Sequence, residues 1–548
     1  MVRGIAANDS FCESTVNAPR VVTEPLAGNP LAVAAMAGTA PAGWYEPLPR
    51  DAKSWRERLQ SVTAEFAGDW LAKLSPAFAA TGKAKERLDA AASGRGVVVT
   101  TGQQPGLFGG PVYTLSKALS ALAFADSLQD LTGVPVAPVF WAATDDTDFR
   151  EASSTIVSVP GGAQLLRFDH PVPLGLPMAS MPLGDVSAQL EALKRSASSA
   201  SSASDPAPIE LLERFYALGA TVGEAYVSFL RELFAPLGIA VIDASHPATR
   251  AAAKPVATKA LELASEIADA VTARNREIES AGFTPQVQDV PGLSLVFSSS
   301  SGSRKRIPIK AAAKKATLDD LGPNVLLRPV VERAILPTAT YIGGPAEIAY
   351  FAQVGPIAEA VGVARPAILP RWSCMIIEPH VEKILEKLYL LPEDFRDPHE
   401  VEARIARARL PKAVLEELNA TRAALNERLD ALSEAVVEES APVGAAVTEG
   451  LRANLLRRLD RFERRLIAAA KREHADIMHD IATARGSLYP FGKPQERGLN
   501  FVPLLARYGA TLRQEMLAEA REHARRLTGG RQEIARSLEE PVSARGRS

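Results

Sequence analysis

The chain has 548 residues, of which 47% are hydrophobic, so it can bury a sizeable core and divide into several units. Its 62 basic and 64 acidic side chains leave a formal charge of −2, which excludes a global basic field for nucleic acid or an anionic membrane. Only Cys12 and Cys374 occur, which excludes a disulfide framework and a four-cysteine zinc site, and fits a reducing cytoplasm. We therefore expect a partner that is a small molecule or a protein, and neither a secretion signal nor a membrane span.

The N-terminal part of the chain changes character near residue 50. Residues 1–50 are rich in Pro, Gly and Ala and have weak periodicity, whereas "SWRERLQSVTAEFAGDWLAKL" has a helical pattern. We expect residues 1–90 to form an extended and helical segment packed on the core.

Residues 91–375 are expected to form an α/β core. Five short apolar runs are followed by turn residues and helical stretches: "VVVTTG", "VPVAPVFWAAT", "LGIAVIDAS", "TATYIGG" and "ARPAILP". This alternation predicts a mostly parallel sheet covered on both faces. Insertions are expected at about 160–230, which contains the polar run "RSASSASSASDPAP", and at 255–325, where the helix "ATKALELASEIADAVTARNREIE" precedes short strands.

The C-terminal part is predicted to be helical. In residues 376–490, apolar side chains recur at heptad-like intervals in two runs: Leu418, Leu425, Leu429, Leu432 and Val436, then Leu451, Leu455, Leu459, Phe462 and Leu466. The break "ESAPVG" between the runs predicts an antiparallel coiled-coil hairpin. The partner of each seam is its neighbour or a second copy, and we expect a homodimer. Residues 491–548 are expected to be a further helical segment.

The first candidate site is the stretch "VVVTTGQQPGLFGGPVYTLSK", residues 97–117. A glycine-rich turn between a buried strand and a helix starting near Pro111 can bind an anion through backbone amides. The expected contributors are Gln103, Gln104, Gly106, Gly109, Gly110, Tyr113 and Lys117, with Tyr113 and Lys117 on one helix face at the rim. The alternative is a tight connection without a ligand.

The second candidate site is the acidic run "PVFWAATDDTDFRE". Asp145, Asp146, Asp148 and Glu151 follow the end of a predicted strand, where ligands collect in parallel sheets. They could provide a general base or hold Mg²⁺. The alternative is a solvated loop that caps the next helix.

The third candidate site lies in residues 322–353, where Gly343 and Gly344 precede a proline and repeat the arrangement of the first turn. Two such turns suggest two walls of one cleft. The polar candidates are Arg328, Glu332 and Glu347, and Arg328 could bind a carboxylate or form a structural Arg–Glu pair. His170, His246, His380 and His399 lack ligand-like spacing and are interpreted as surface or core residues.

These motifs together resemble the bacillithiol biosynthesis cysteine-adding enzyme family. The resemblance rests on "VTTGQQPGLFGGPVYTLSK", "PVAPVFWAATDDTDFRE", "LFAPLGIAVIDAS", "NVLLRPVVERAILPTATYIGGPAEIAYFAQ" and "QERGLNFVPLLARYG", in this order across nearly the whole chain. It implies a Rossmann-like ligase core with inserted segments and a coiled-coil arm that dimerises. It also implies a ligase that joins cysteine to glucosaminyl-malate in the last step of bacillithiol synthesis.

One position departs from the family's pattern. Thr147 stands where the family usually has a histidine, so this run lacks the side chain that would titrate near neutrality. In the implied mechanism, the first turn and Lys117 hold an anionic group, and Gln103 and Gln104 orient it. Asp146 or Asp148 accepts the proton of the attacking amine.

Arg328 or the turn at Gly343 and Gly344 would bind the malate carboxylates. No metal is expected, and the activating cosubstrate is left open, with a nucleotide such as ATP or ADP as a candidate. Two other functions remain open: a carboxylate–amine ligase with a different amine acceptor, and a non-catalytic, ligand-binding coiled-coil scaffold.

Overall fold

A computed structural model describes residues 18–168, 175–198, 205–299, 303–397, 399–440 and 442–529. Cys12, His170 and residues 199–204 of the serine-rich run lie outside the described residues. Internal contacts divide the chain into two units. The first unit contains the chain up to residue 157, residues 164–379 and the chain from residue 495, and the second contains residues 158–163 and 380–494.

The strands of the described residues are β1 (Arg20–Thr23), β2 (Val97–Gln103), β3 (Val136–Ala142), β4 (Ser154–Val159), β5 (Gly162–Arg167), β6 (Ala240–Asp243), β7 (Leu293–Ser298), β8 (Lys305–Pro308), β9 (Leu321–Pro323), β10 (Thr338–Gly343), β11 (Ile368–Pro370) and β12 (Cys374–Ile377).

The helices of the first half are α1 (Pro30–Ala37), α2 (Ala52–Ala64), α3 (Trp70–Phe78), α4 (Gly82–Ser93), α5 (Val112–Thr132), α6 (Phe149–Ala152), α7 (Ser187–Ser198), α8 (Ala207–Phe215), α9 (Val222–Phe234), α10 (Pro247–Glu262) and α11 (Ala264–Ser280). Those of the second half are α12 (Ala312–Lys315), α13 (Arg328–Ile335), α14 (Pro345–Phe351), α15 (Gly355–Val361), α16 (Pro379–Leu388), α17 (Glu400–Ala408), α18 (Lys412–Glu438), α19 (Ala445–Glu473), α20 (Ala475–Leu488), α21 (Gln495–Gly498) and α22 (Val502–Thr528).

The first unit is built on a five-stranded parallel sheet with the order β11-β10-β2-β3-β6. All five strands were predicted from their apolar runs, and the predicted α/β architecture is confirmed. The inner strands β2 and β3 are almost wholly buried, as expected of a sheet covered on both faces. Side chains alternate between the faces. Trp141 lies in a core cluster with residues of α3 and α4, whereas Phe140 packs against Phe234 of α9 with ring centroids 5.7 Å apart.

The strand order places a topological switch point between β2 and β10. From β2 the chain adds β3 and β6 on one side, and later adds β10 and β11 on the other side of β2. Ligands of open parallel sheets bind beyond the carboxyl ends of the strands at such a point. Those ends are Gln103 in β2 and Gly343 in β10.

The described segments that precede and follow this core in the sequence pack on it. Strand β1 pairs with β12 in antiparallel fashion, and Trp55 of α2 contacts the Phe124 ring of α5 with centroids 5.6 Å apart. At the C-terminal end, Gln495 donates to the carbonyl of Ile376 at 2.7 Å and accepts from its amide at 2.7 Å.

The predicted insertion at 255–325 contains helices and a small antiparallel sheet. The single helix expected there is divided into α10 and α11, because Leu263 leaves helical geometry with φ −99° and ψ 21°. The short strands that follow form a three-stranded sheet in the order β8-β7-β9. This sheet supplies one wall of a cleft that lies beyond β3.

The second unit contains the antiparallel helical hairpin that the sequence predicted. Arg422 of α18 forms ion pairs with Asp460 at 2.7 Å and Glu463 at 2.9 Å, both in α19. Among the predicted seam residues, Leu418 and Leu429 are buried. By contrast, Leu432, Leu451 and Phe462 are exposed by 43%, 44% and 52%, so one hairpin does not cover its apolar positions.

Among the helices of the described residues, none is both long enough and apolar enough to cross a membrane.

Candidate functional site

Lys117 and Glu347 form an ion pair at the switch point, where one follows β2 and the other follows β10. Lys117, in α5 after β2, places its Nζ 2.6 Å from Oε2 of Glu347, in α14 after β10. The same ammonium donates to the carbonyl of Gly102 at 2.8 Å and to Oε1 of Gln103 at 3.0 Å. These three acceptors match its three hydrogens. The Lys117 side chain is only 5% exposed, so the expectation that it stands at the rim is wrong: it lies inside.

Glu347 is held in its ionised form. Its Oε2 also accepts from the amide of Gly344 at 2.6 Å, and its Oε1 accepts from the Tyr341 hydroxyl at 2.5 Å. Burial alone would raise the pKa of Glu347, but the charges of Lys117 and Arg328 and these hydrogen bonds outweigh it and hold the pKa below its ordinary value. Burial lowers the pKa of Lys117, and the Glu347 carboxylate opposes that shift.

Arg328 extends this network. Its Nη2 donates to the Tyr350 hydroxyl at 2.7 Å and lies 3.9 Å from Oε1 of Glu347. Its buried Nε has no hydrogen-bond partner among the described residues. We call Lys117, Arg328, Tyr341, Glu347 and Tyr350 the switch-point cluster. The sequence left open that Arg328 forms a structural pair with a glutamate. The structure has such a pair with Glu347, but the two atoms are 3.9 Å apart.

Glu332 lies one helical turn after Arg328 in α13 and is 2% exposed. Burial raises its pKa to about 7, and the charge of Arg328 only partly offsets that rise. A carboxyl group that titrates near neutrality beside a sheet's switch point is suited to proton transfer.

The glycine turn after β2 is used for packing. Gly109 and Gly110 have φ values of +85° and +89°, a region that favours glycine. The Gly109 amide donates to the carbonyl of Gly106 and to the Tyr216 hydroxyl, each at 3.1 Å, and the Gly110 amide donates to the carbonyl of Leu107 at 3.1 Å. The expectation that these two amides face an anion is therefore corrected, because both are satisfied inside the turn.

The two glutamines link the turn to the neighbouring residues. Gln103 donates from Nε2 to the Tyr113 hydroxyl at 3.1 Å while its Oε1 accepts from Lys117. Gln104 donates from Nε2 to Oδ2 of Asp146. Gln104 and Asp146 were placed in separate candidate sites, and the structure brings them together.

The acidic run does not converge on one point. Asp145 pairs with Arg304 at 2.9 Å, whereas Oδ1 of Asp146 accepts from the amides of Thr147 and Asp148 at 2.6 and 2.9 Å. Asp148 is exposed and caps α6 by accepting from the amide of Arg150 at 3.1 Å. In the part of the chain that the structure describes, no group of three or more His, Cys, Asp or Glu is arranged to hold a metal ion. Asp148 thus fits the alternative of a capping residue.

Sequence reasoning missed two residues that lie near the end of β11, Arg371 and His523. Arg371 is 2% exposed and forms a two-pronged ion pair with Glu496, at 2.7 and 2.6 Å. A Cβ atom on Gly344 would lie 3.6 Å from Arg371 Nε, so this guanidinium borders the second turn. Its position directly after a predicted strand could have revealed it. His523 lies 3.1 Å from the Pro370 carbonyl, and burial lowers its pKa to about 4; no local signal in α22 marks it.

The parallel sheet, the polar cluster at its switch point and the helical hairpin define a Rossmann-like α/β protein with a coiled-coil domain. Residues 41–317 and 309–372 match the N-terminal Rossmann-like domain of bacillithiol biosynthesis BshC, and residues 374–528 match the C-terminal coiled-coil domain of the same family. The chain therefore belongs to the BshC family.

Individual relatives agree with this assignment. A protein of Koribacter versatilis is 33% identical over 442 residues, which are 76% of this chain and 80% of the relative. A protein of Solibacter usitatus is 31% identical over 436 residues, 76% of this chain and 81% of the relative. A protein of Salinibacter ruber is 26% identical over 519 residues, 88% of this chain and 91% of the relative. All three are named "Putative cysteine ligase BshC".

Proposed function

We propose that the protein is a ligase that joins cysteine to glucosaminyl-malate. In this reaction the amine nitrogen of the sugar bonds to the carboxyl carbon of cysteine, and a carboxyl oxygen leaves with an activating group. The amine gives up a proton as the amide forms. The observation that carries the proposal is the switch-point cluster: an ionised, buried network in which Arg328 Nε has no partner among the described residues, in a member of the BshC family.

Arg328 is proposed to bind a malate carboxylate. Its Nε is a buried donor without a partner among the described residues, and a buried donor left unpaired costs about 1–3 kcal/mol. A carboxylate would satisfy this donor with a charge-assisted hydrogen bond. The Tyr350 hydroxyl accepts from Nη2 at 2.7 Å and so orients the guanidinium, and the ionised Glu347, 3.9 Å from Nη2, would repel an anion that came close to it.

Two carboxyl groups are candidates for the general base that accepts the proton of the attacking amine. Asp146 is oriented by Gln104 and by two backbone amides, so its carboxylate points in one direction. Glu332 has a pKa of about 7, close to the value that favours a general base at neutral pH. We propose Asp146 as the base and Glu332 as the second candidate.

The second candidate function is a carboxylate–amine ligase with a different amine acceptor. Thr147 favours it, because a hydroxyl stands where the family usually has an imidazole. Product analysis with several amino sugars distinguishes the two functions.

The experiment supplies purified full-length protein with cysteine, glucosaminyl-malate and one adenine nucleotide at a time, and detects the amide by mass spectrometry. Arg328→Gln should raise KM for glucosaminyl-malate by about tenfold to hundredfold. Asp146→Asn should lower kcat by about 10²-fold if Asp146 is the base. Arg276→Gln, an exposed change on α11, is the control. Turnover of another amino sugar in preference to glucosaminyl-malate would contradict the proposal.

We also propose that the protein is a homodimer that pairs through α18 and α19. The exposed apolar positions Leu432, Leu451 and Phe462 would be covered by a second copy. The double variant Leu451→Glu with Phe462→Glu should halve the mass measured by sedimentation, while Lys412→Glu, at a side chain that is 90% exposed, should not. An unchanged mass in the double variant would contradict this proposal.

A further inference from the structure

A cleft lies beyond the carboxyl ends of β3 and β6, apart from the switch-point cluster. Its walls include Trp141 of β3, Arg250 of α10 and Val331 of α13. The charged side chains Asp145, Arg304 and Asp320 also line it. The cleft encloses about 460 Å³ between its walls, part of which is open to solvent. A volume of this size can hold a small ligand.

Trp141 lines the cleft and carries a buried hydrogen-bond donor. The residue is 3% exposed, and its Nε1 has no partner among the described residues. Buried donors are nearly always paired, because an unpaired one keeps its desolvation cost. A ligand oxygen in the cleft would satisfy this indole N–H.

The cleft is lined by equal numbers of cationic and anionic side chains. Arg304, 8% exposed, is fixed by its ion pair with Asp145 at 2.9 Å and lies over the Phe297 ring at 4.3 Å. Arg250 forms no ion pair within the part of the chain that the structure describes. Asp320 accepts from the Ser298 hydroxyl at 3.2 Å and keeps its second oxygen for other donors. Two cationic and two anionic side chains match a ligand that carries one charge of each sign.

We propose that this cleft binds the free α-amino acid substrate. Arg250 and the indole N–H of Trp141 bind its carboxylate, and Asp320 binds its ammonium group. A dicarboxylate would place two negative charges before Asp145 and Asp320 and is disfavoured. The inference rests on the proposed function, since a ligase of cysteine needs a subsite for cysteine besides the one for the amine. Helix α13 serves both subsites, because Val331 lines the cleft while Arg328 belongs to the switch-point cluster.

The test is calorimetric titration of the full-length protein with L-cysteine under reducing conditions, and with L-serine and L-alanine as unreactive analogues. Arg250→Gln should raise the dissociation constant by about tenfold to hundredfold, which is the effect of one lost charge-assisted hydrogen bond. Asp320→Asn should weaken binding by about tenfold, and Trp141→Phe by less, since the second variant removes a hydrogen bond from a neutral donor. Arg276→Gln is the matched control, since it removes an exposed guanidinium from the neighbouring helix α11.

Two results would overturn the inference: wild-type protein that binds none of the three amino acids, or variants of Arg250 and Asp320 that bind cysteine as tightly as wild type. The second result together with normal ligation would leave the proposed function standing and remove the cleft from it. Conversely, binding that depends on Arg250, with no ligation of glucosaminyl-malate by wild type, would support the cleft and contradict the proposed function.

Discussion

The two glycine–proline turns of the sheet have the same sequence pattern and different roles. After β2, Gly109 and Gly110 adopt positive φ values and their amides bond within the turn and to Tyr216. After β10, Gly344 has an ordinary φ of −83°, and its amide donates to the ionised carboxylate of Glu347. The amides of the first turn stabilise the packing of the turn itself, whereas the second turn stabilises a buried carboxylate. A glycine pattern therefore identifies where the backbone bends closely, whereas the surrounding side chains determine what the bend does.

The largest expected effect comes from the second turn. Glu347→Gln removes the partner of the buried Lys117 ammonium, and breaking a buried ion pair from one side costs about 3–5 kcal/mol. We expect a loss of that size in the free energy of unfolding, measured in urea. The control is Lys53→Gln, whose ion pair with Glu57 joins side chains that are 86% and 63% exposed and should contribute little. Equal stability of Glu347→Gln and wild type would mean that the pair is not formed.

Glycine-to-alanine variants in the two turns test whether the turns have different roles. In Gly109→Ala the new Cβ would lie 2.7 Å from Phe229 at a φ of +85°, so we expect a loss of about 2–4 kcal/mol. In Gly344→Ala the Cβ would meet Oε2 of Glu347 at 3.3 Å at an allowed φ, so we expect less than about 1 kcal/mol. Gly344→Ala should instead weaken ligand binding at the switch-point cluster. The reverse order of stabilities would contradict the roles assigned to the turns.

The third effect depends on pH. Burial raises the pKa of Glu332 from 4.5 to about 7, so the folded protein holds a proton there that the unfolded chain has released. This contribution is complete below pH 4.5 and is lost as the pH rises to 7, with a total of about 3 kcal/mol. Unfolding free energies measured from pH 4.5 to 8 should therefore decline less in Glu332→Gln than in wild type. Glu279→Gln, exposed on α11, should decline as wild type does, and identical curves for all three would contradict the assignment.

The sequence predicted the sheet well because its signals are local. Short β-branched runs ending in turn residues marked all five strands of the central sheet, including the three-residue β11. The same rule placed Arg328, Glu347 and Asp146 near the carboxyl ends of strands, where the structure has them. The antiparallel hairpin was equally readable from its heptad-like intervals.

The contacts and roles of the site residues could not be predicted, because they depend on side chains that are distant in the sequence. Tyr216 and Phe501 decide that the first turn is packed, and both lie more than a hundred residues away. Lys117 was placed at the rim because helix periodicity alone did not indicate that Glu347 would meet it inside. The pKa of Glu332 reflects burial, which no spacing in α13 encodes.

The most direct test of the proposed ligase is mass spectrometry of the small thiols in cells with and without the gene. We predict that deletion removes the cysteinyl amide of glucosaminyl-malate and causes glucosaminyl-malate to accumulate. The wild-type gene should restore the amide, and a gene encoding Arg328→Gln should restore it poorly at equal protein level. Unchanged amounts of the amide in the deleted cells, with no accumulation of glucosaminyl-malate, would contradict the account.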